Sequence, residues 1–145
     1  MPTLEGKWKY QSYRPDPGSV AAVPAATQAF VPWSPPDHGE VTIDKGDATG
    51  ILEFTGTKIK LNLNIQVTDG DPARLFISAS VDLGGGKQFT NELQGWIVPA
   101  TLGDAVGGNT PLVVRGSVVQ TSEDIVPKDK NPQPIFTTGF FVLTR

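Results

Sequence analysis

The sequence predicts an all-β chain, a single domain over residues 1–145 folded as an eight-stranded antiparallel up-and-down β-barrel. Three observations predict it. First, Thr57–Val67 places Ile59, Leu61, Leu63, Ile65 and Val67 on one parity and Lys58, Lys60, Asn62, Asn64 and Gln66 on the other. Side chains of a strand alternate between faces, so this stretch is a strand with one dry and one wet face; a helix would scatter the same residues around its circumference. Second, the 16 glycines and 13 prolines fall mostly between apolar runs, as in a chain of strands and turns. Third, the remaining apolar segments are strand-like, mostly joined by short turns, and none is long and periodic enough for a helix. Sequential antiparallel strands with one apolar face must cover that face. About eight strands suffice to close a sheet on itself, which removes its edges and leaves room inside for side chains or one small ligand. A two-sheet sandwich is the alternative.

The first strand is Glu5–Tyr13, with Trp8, Tyr10 and Ser12 on the inward face and Lys7, Lys9 and Gln11 on the other. Arg14–His38 follows, a 25-residue connection holding six of the 13 prolines. Connections this long are usually functional or disordered. Val20, Ala21, Ala22, Val23, Phe30, Val31 and Trp33 need cover, so the segment is expected to fold back over the body as a lid, with a mobile loop or an oligomer contact as the alternatives. The second strand, Gly39–Asp44, points Val41 and Ile43 inward. It turns at Asp44-Lys45-Gly46-Asp47 into the third, Thr49–Phe54, with Leu52 and Phe54 inward. Thr55-Gly56 leads into Thr57–Val67, and Asp69-Gly70-Asp71-Pro72 makes the next turn. The fifth strand, Ala73–Leu83, sets Leu75, Ile77, Ala79, Val81 and Leu83 inward and Phe76, Ser78, Ser80 and Asp82 outward. Gly84-Gly85-Gly86 is a hairpin loop into Lys87–Val98, where Phe89, Asn91, Leu93, Gly95 and Ile97 share one parity and Trp96 takes the other. A glycine-rich loop, Pro99–Pro111, precedes Leu112–Thr121. A charged loop, Ser122–Pro134, precedes the last strand, Ile135–Thr144.

Composition narrows the function classes. Hydrophobic residues make up 38% and charged residues 19%, which suits a globular protein rather than a disordered one. The net charge of -3, without a basic patch, gives no general attraction to nucleic acid or an anionic membrane. No apolar run approaches the length of a membrane-spanning helix. The opening Met-Pro-Thr-Leu-Glu-Gly-Lys-Trp lacks a basic region followed by an apolar segment. The default expectation is therefore cytoplasmic, or a secreted or periplasmic protein if a leader was removed. With no cysteine there is no disulfide, thiol nucleophile or thiolate metal site.

Catalytic signatures are scarce, and neither a cofactor nor a metal is expected. His38 is the single histidine, in a Pro35-Pro36-Asp37-His38-Gly39-Glu40 turn, and one histidine without cysteine does not build a usual zinc site. The Asp-Gly turns lack the spacing and distal Glu of a calcium loop. There is no Gly-x-Ser-x-Gly elbow, and Gly84-Gly85-Gly86-Lys87 lacks the spacing and helix of a phosphate loop. More informative are the polar residues sharing parity with the core: Tyr10, Ser12, Asn91, Gln120 and Thr137. A buried polar group needs a partner, and a few converging polar groups in a cavity make a ligand site. The other reading sets them at the barrel ends, meeting water or backbone.

Gly6-Lys7-Trp8 at the start of the first strand resembles the Gly-x-Trp signature of the calycins, the superfamily of lipocalins, fatty-acid-binding proteins and avidins. In that superfamily the Trp packs beside an Arg from the last strand, and this chain ends Phe-Val-Leu-Thr-Arg. The resemblance implies that Gly6, Trp8 and Arg145 form the structural motif, with the guanidinium stacked on the indole. The long first connection resembles the lipocalin lid. Glu53-Phe54-Thr55-Gly56-Thr57 is similar to an avidin hairpin, but Lys58 and Lys60 stand where avidins carry a ligand-binding Tyr and a Thr, so biotin binding is not carried over. The expected function is non-catalytic binding of a small apolar or amphipathic molecule inside the barrel. Tyr10, Ser12, Asn91, Gln120 and Thr137 would line the site, and Phe30 and Trp33 would cover it from the lid. One alternative is a barrel enzyme of isomerase or cyclase type, as in plant allene oxide cyclases. Another is a filled barrel acting through its surface as an oligomeric protein- or sugar-interaction module. Phe76, Trp96, Phe136, Phe140 and Val142 on the outward parity would be its signature and favour a homo-oligomer such as a dimer.

Overall fold

The computed structural model describes residues 3–15, 30–33, 38–100, 111–125 and 132–145. They form β1 (Gly6–Pro15), β2 (Phe30–Pro32), β3 (His38–Ile43), β4 (Thr49–Phe54), β5 (Lys60–Thr68), β6 (Arg74–Gly84), β7 (Lys87–Pro99), β8 (Leu112–Gln120) and β9 (Thr138–Thr144). Every pairing is antiparallel between chain neighbours from β3 to β9, and β1 pairs with both β3 and β9. Eight strands thus close the barrel. The three-residue β2, unforeseen in the sequence, extends one edge by pairing with Tyr13–Pro15, where β1 runs beyond its ladder with β3. No helix among the described residues is long and apolar enough to cross a membrane.

The alternation read from the sequence is the alternation of burial. Leu61, Leu63 and Ile65 are buried on β5 while Lys60, Asn62, Asn64 and Gln66 are exposed. β5 begins at Lys60, because Thr57 still belongs to the turn: its hydroxyl donates to Phe54 O at 3.0 Å and accepts from Ile59 N–H at 3.1 Å. Leu83, expected inward, is exposed. The ladder between β6 and β7 shifts register between Asp82 and Gly84, so the alternation stops before Leu83 reaches the core. The last strand starts at Thr138 rather than Ile135, since Ile135 and Phe136 form a turn with Phe136 at a positive φ of 67°. Of the lid residues, Val20, Ala21, Ala22 and Val23 lie outside the described residues.

Two ends of the barrel differ in chemistry. At one end the chain start is drawn across the opening. The Asp47 carboxylate accepts Leu4 N–H at 3.1 Å, Trp8 Nε1–H donates to Leu4 O at 2.8 Å, and Arg145 donates to Glu5 O and Thr3 O at 3.1 Å. Leu4 thereby becomes a buried plug above Trp8. The middle is apolar, with Phe141 packed over a glycine pair. Gly95 and Gly116 face each other on β7 and β8, and a Cβ on Gly95 would stand 3.3 Å from the Phe141 ring. Among the described residues, the buried polar side chains of Ser12, Asn91 and Gln120 gather toward the other end.

Candidate functional site

One cavity lies inside the barrel and several depressions of about 330–620 Å³ lie outside, of which one is lined by the exposed Trp96. Inside, the barrel closure brings Tyr10, Ser12, Trp33, Phe54, Phe89, Asn91, Val118, Gln120 and Asp124 around one cavity of about 20 Å³. Five of the residues expected from the sequence, Tyr10, Ser12, Trp33, Asn91 and Gln120, therefore meet at one place. Register explains the meeting: Asn91 is the direct partner of Gln120, and Ser12 that of Phe141 on the opposite wall. Trp33 is buried because its N–H donates to Ser12 O at 2.9 Å, which carries the indole over the barrel end.

Two expected residues fall elsewhere. Phe30 is outside, 48% exposed, with its ring 5.1 Å from that of Phe140, which stacks on Tyr13 at 4.9 Å. β2 hydrogen-bonds to the edge of β1, so alternation sends Phe30 to the outer face while Trp33, three residues on, turns in. Thr137 sits in the turn before β9, its hydroxyl donating to Pro134 O at 2.6 Å. It caps a turn and does not line the cavity. His38 is an exposed residue opening β3.

Most of the interior polar groups are occupied. Gln120 Nε2 donates to Ser122 O at 2.9 Å and Gln133 O at 3.0 Å, tying down the segments on either side of it. Asp124 accepts Gln133 N–H at 2.6 Å. The Tyr10 hydroxyl is pushed up to about 12 by burial, with its hydrogen bond to Ser12 working the other way. Asn91 Oδ1 lacks one: among the described residues it and Arg14 Nε are buried with no hydrogen-bond partner. The space beside Asn91 accepts one water-sized group, since a single water needs roughly 10–15 Å³.

The outer face has a different character on its two sides. Over β1 and β3–β5 it is charged, with Lys7 3.5 Å from Glu40 and Lys60 3.9 Å from Glu53. Over β5–β7 a depression of about 400 Å³ is lined by Gln66, Thr68, Arg74, Phe76, Gln94 and Trp96. Trp96 is 48% exposed. Register places Arg74 directly opposite Trp96 on β6 and Arg115 directly opposite it on β8. Trp96, Phe136 and Phe140 are exposed as expected, and Phe76 and Val142 are half-buried. The arginines beside Trp96 were not singled out from the sequence; equal outward parity was visible, but neighbourhood depends on register. Among the described residues no three His, Cys, Asp or Glu side chains group to hold a metal ion.

No family model, curated protein or solved structure matches the chain.

Proposed function

We propose that this chain is a non-catalytic binding module, a filled β-barrel that recognises a sugar on the outer face of β5–β8. One observation carries the reading: the described interior offers about 20 Å³, whereas an outer depression of about 400 Å³ is lined by the exposed indole of Trp96. Small-molecule sites generally occupy about 300–1,000 Å³. An indole left half-exposed in the middle of a strand costs apolar hydration unless something covers it. Its flat face suits the C–H face of a pyranose. Gln66 and Gln94, on the next row, supply amide donors and acceptors for hydroxyls. All of these side chains project from barrel strands, which hold them more rigidly than loops would.

Tryptophan emission tests this directly. Trp8 and Trp33 are buried, so an emission shift on adding a saccharide reports on Trp96. A panel of oligosaccharides should move the emission of the native chain and leave Trp96→Ala unmoved at unchanged circular dichroism. Unmoved native emission across the panel removes the proposal.

A second reading is favoured by Asn91 Oδ1. A partnerless buried acceptor among Tyr10, Ser12, Gln120 and Trp33 supports a small ligand that enters by displacing Trp33. Native mass spectrometry of protein from its own host checks it: a stoichiometric released compound is expected, and an empty chain that gains no thermal stability from lipid, pterin or haem argues against it. A calycin-type relationship is proposed on the Trp8–Arg145 contact. A homo-oligomer is proposed on the exposed Phe30 and Phe140 beside Tyr13, with sedimentation as its check.

A further inference from the structure

The outer depression is not electrically neutral. Thr68, Arg74, Trp96, Arg115, Val142 and Gln11 follow one another as direct partners across β5, β6, β7, β8, β9 and β1. Neighbouring strands lie about 4.8 Å apart, so two guanidiniums rise from backbones about 10 Å apart with the indole between them. The parallel row is Gln66, Phe76, Gln94, Ser117 and Phe140. Neither row contains an Asp or a Glu. The whole chain carries 15 acidic against 12 basic residues, and only four of the basic ones are arginines. Two of those four flank the one exposed indole.

The two arginines are held differently. Arg115 is exposed on β8, and its Nη2 donates to Ala100 O at 2.8 Å, which restrains its guanidinium. Arg74 is exposed at the start of β6 and makes no hydrogen bond or ion pair with any described residue. Asp69 and Asp71, in the adjoining turn, do not engage it. An arginine fork matches a carboxylate in two parallel hydrogen bonds, and a charge-assisted bond is stronger than a neutral one.

We infer that the saccharide recognised here is acidic: a short uronic-acid-type sugar whose ring lies on Trp96, with its carboxylate held by Arg74 or Arg115 and its hydroxyls by Gln66 and Gln94. This inference rests on the reading of the outer face as a sugar site and adds its charge selection. A long nucleic acid fits less well, because a chain of net charge -3 repels a polyanion beyond the two contacts the row can offer.

The test uses the full chain, Trp96 emission and calorimetry, with digalacturonate as the acidic probe and galactobiose as its neutral counterpart. Digalacturonate should bind about tenfold tighter than galactobiose, the size of one charge-assisted hydrogen bond. That preference should shrink as sodium chloride is raised through the physiological range. At least one of Arg74→Gln and Arg115→Gln should erase most of the preference, weakening digalacturonate binding far more than galactobiose binding. Arg74→Lys should keep part of it, since the charge survives and the fork does not. Circular dichroism and the thermal midpoint confirm that each variant is folded. Equal affinity for both sugars overturns the charge selection while the sugar site stands. No emission change with either sugar overturns both. A short oligonucleotide or an acidic peptide bound in preference to digalacturonate also overturns the inference, by assigning the row to another occupant.

Discussion

The guanidinium of Arg145, the last residue of the chain, lies 4.1 Å from the ring centroid of Trp8, in the first strand. This contact joins the ends of the barrel sheet at the β1–β9 seam and holds the plug above it, because the same guanidinium donates to Glu5 O and Thr3 O. The pair is therefore a latch on the barrel closure. Arg145→Ala should lower stability by about 1–2 kcal/mol, from one cation–π contact and its hydrogen bonds. Arg145→Lys should recover only part, since an ammonium cannot fork to two carbonyls over a ring. Urea unfolding of the three chains gives the comparison. Wild-type stability in Arg145→Ala would show that the seam holds without the latch.

Gly139 marks the tightest point of the same seam. A Cβ there would collide with Tyr13 O and stand 3.1 Å from Trp33 Cζ3. The backbone oxygen belongs to the β1–β9 ladder and cannot swing aside as a side chain could. Gly139→Ala should destabilise by about 1–3 kcal/mol, as overpacking does. It should also redden Trp33 emission as the indole is pushed toward solvent, which a fluorescence spectrum in the folded baseline would show.

Tyr10 predicts how the fold responds to alkali. Its hydroxyl is raised to about 12 in the folded chain, chiefly by burial, against an ordinary value of 10.0. Between these two values the unfolded chain has lost the proton and the folded chain still holds it, so stability falls as pH rises through that window. The group contributes fully below the lower value. A two-unit displacement corresponds to about 2–3 kcal/mol at most. Tyr10→Phe should flatten this part of the stability curve relative to the native chain, measured by denaturant titration at stepped pH. Parallel curves would mean that Tyr10 is not the alkaline switch.

Asn91 separates stability from function. Its Oδ1 is buried without a partner, a state that costs about 1–3 kcal/mol. Asn91→Leu keeps the branching at Cγ, removes the unmet group and faces Ala79 on one side and Gln120 on the other. It should leave stability unchanged or raise it by about 1 kcal/mol, read as a thermal midpoint. If the barrel interior binds a small molecule, the same variant should lose the compound that native mass spectrometry releases. A marked loss of stability would mean that Asn91 is part of the packing rather than an exception to it.

The sequence by itself determined which residues face inward within most strands and where most strands turn. Alternation is local: each residue of β5 or β7 takes its face from its neighbours along the chain, so Leu61, Leu63, Phe89, Asn91 and Leu93 could be assigned before any partner strand was known. Closure was expected from the order of antiparallel strands, and the pairing of Trp8 with Arg145 from the calycin resemblance. Tertiary structure decided what alternation does not encode. Register chose which side chains are neighbours, setting Asn91 beside Gln120 and Trp96 between Arg74 and Arg115. The short pairing of β2 with β1 sent Phe30 out and let Trp33 in, although both lie in one proline-rich connection. The room inside was decided last, by how far Phe141, Trp8, Phe54 and Trp33 interpenetrate. The space remaining is a small difference between large side-chain volumes, set by all the strands together and legible in none of them alone.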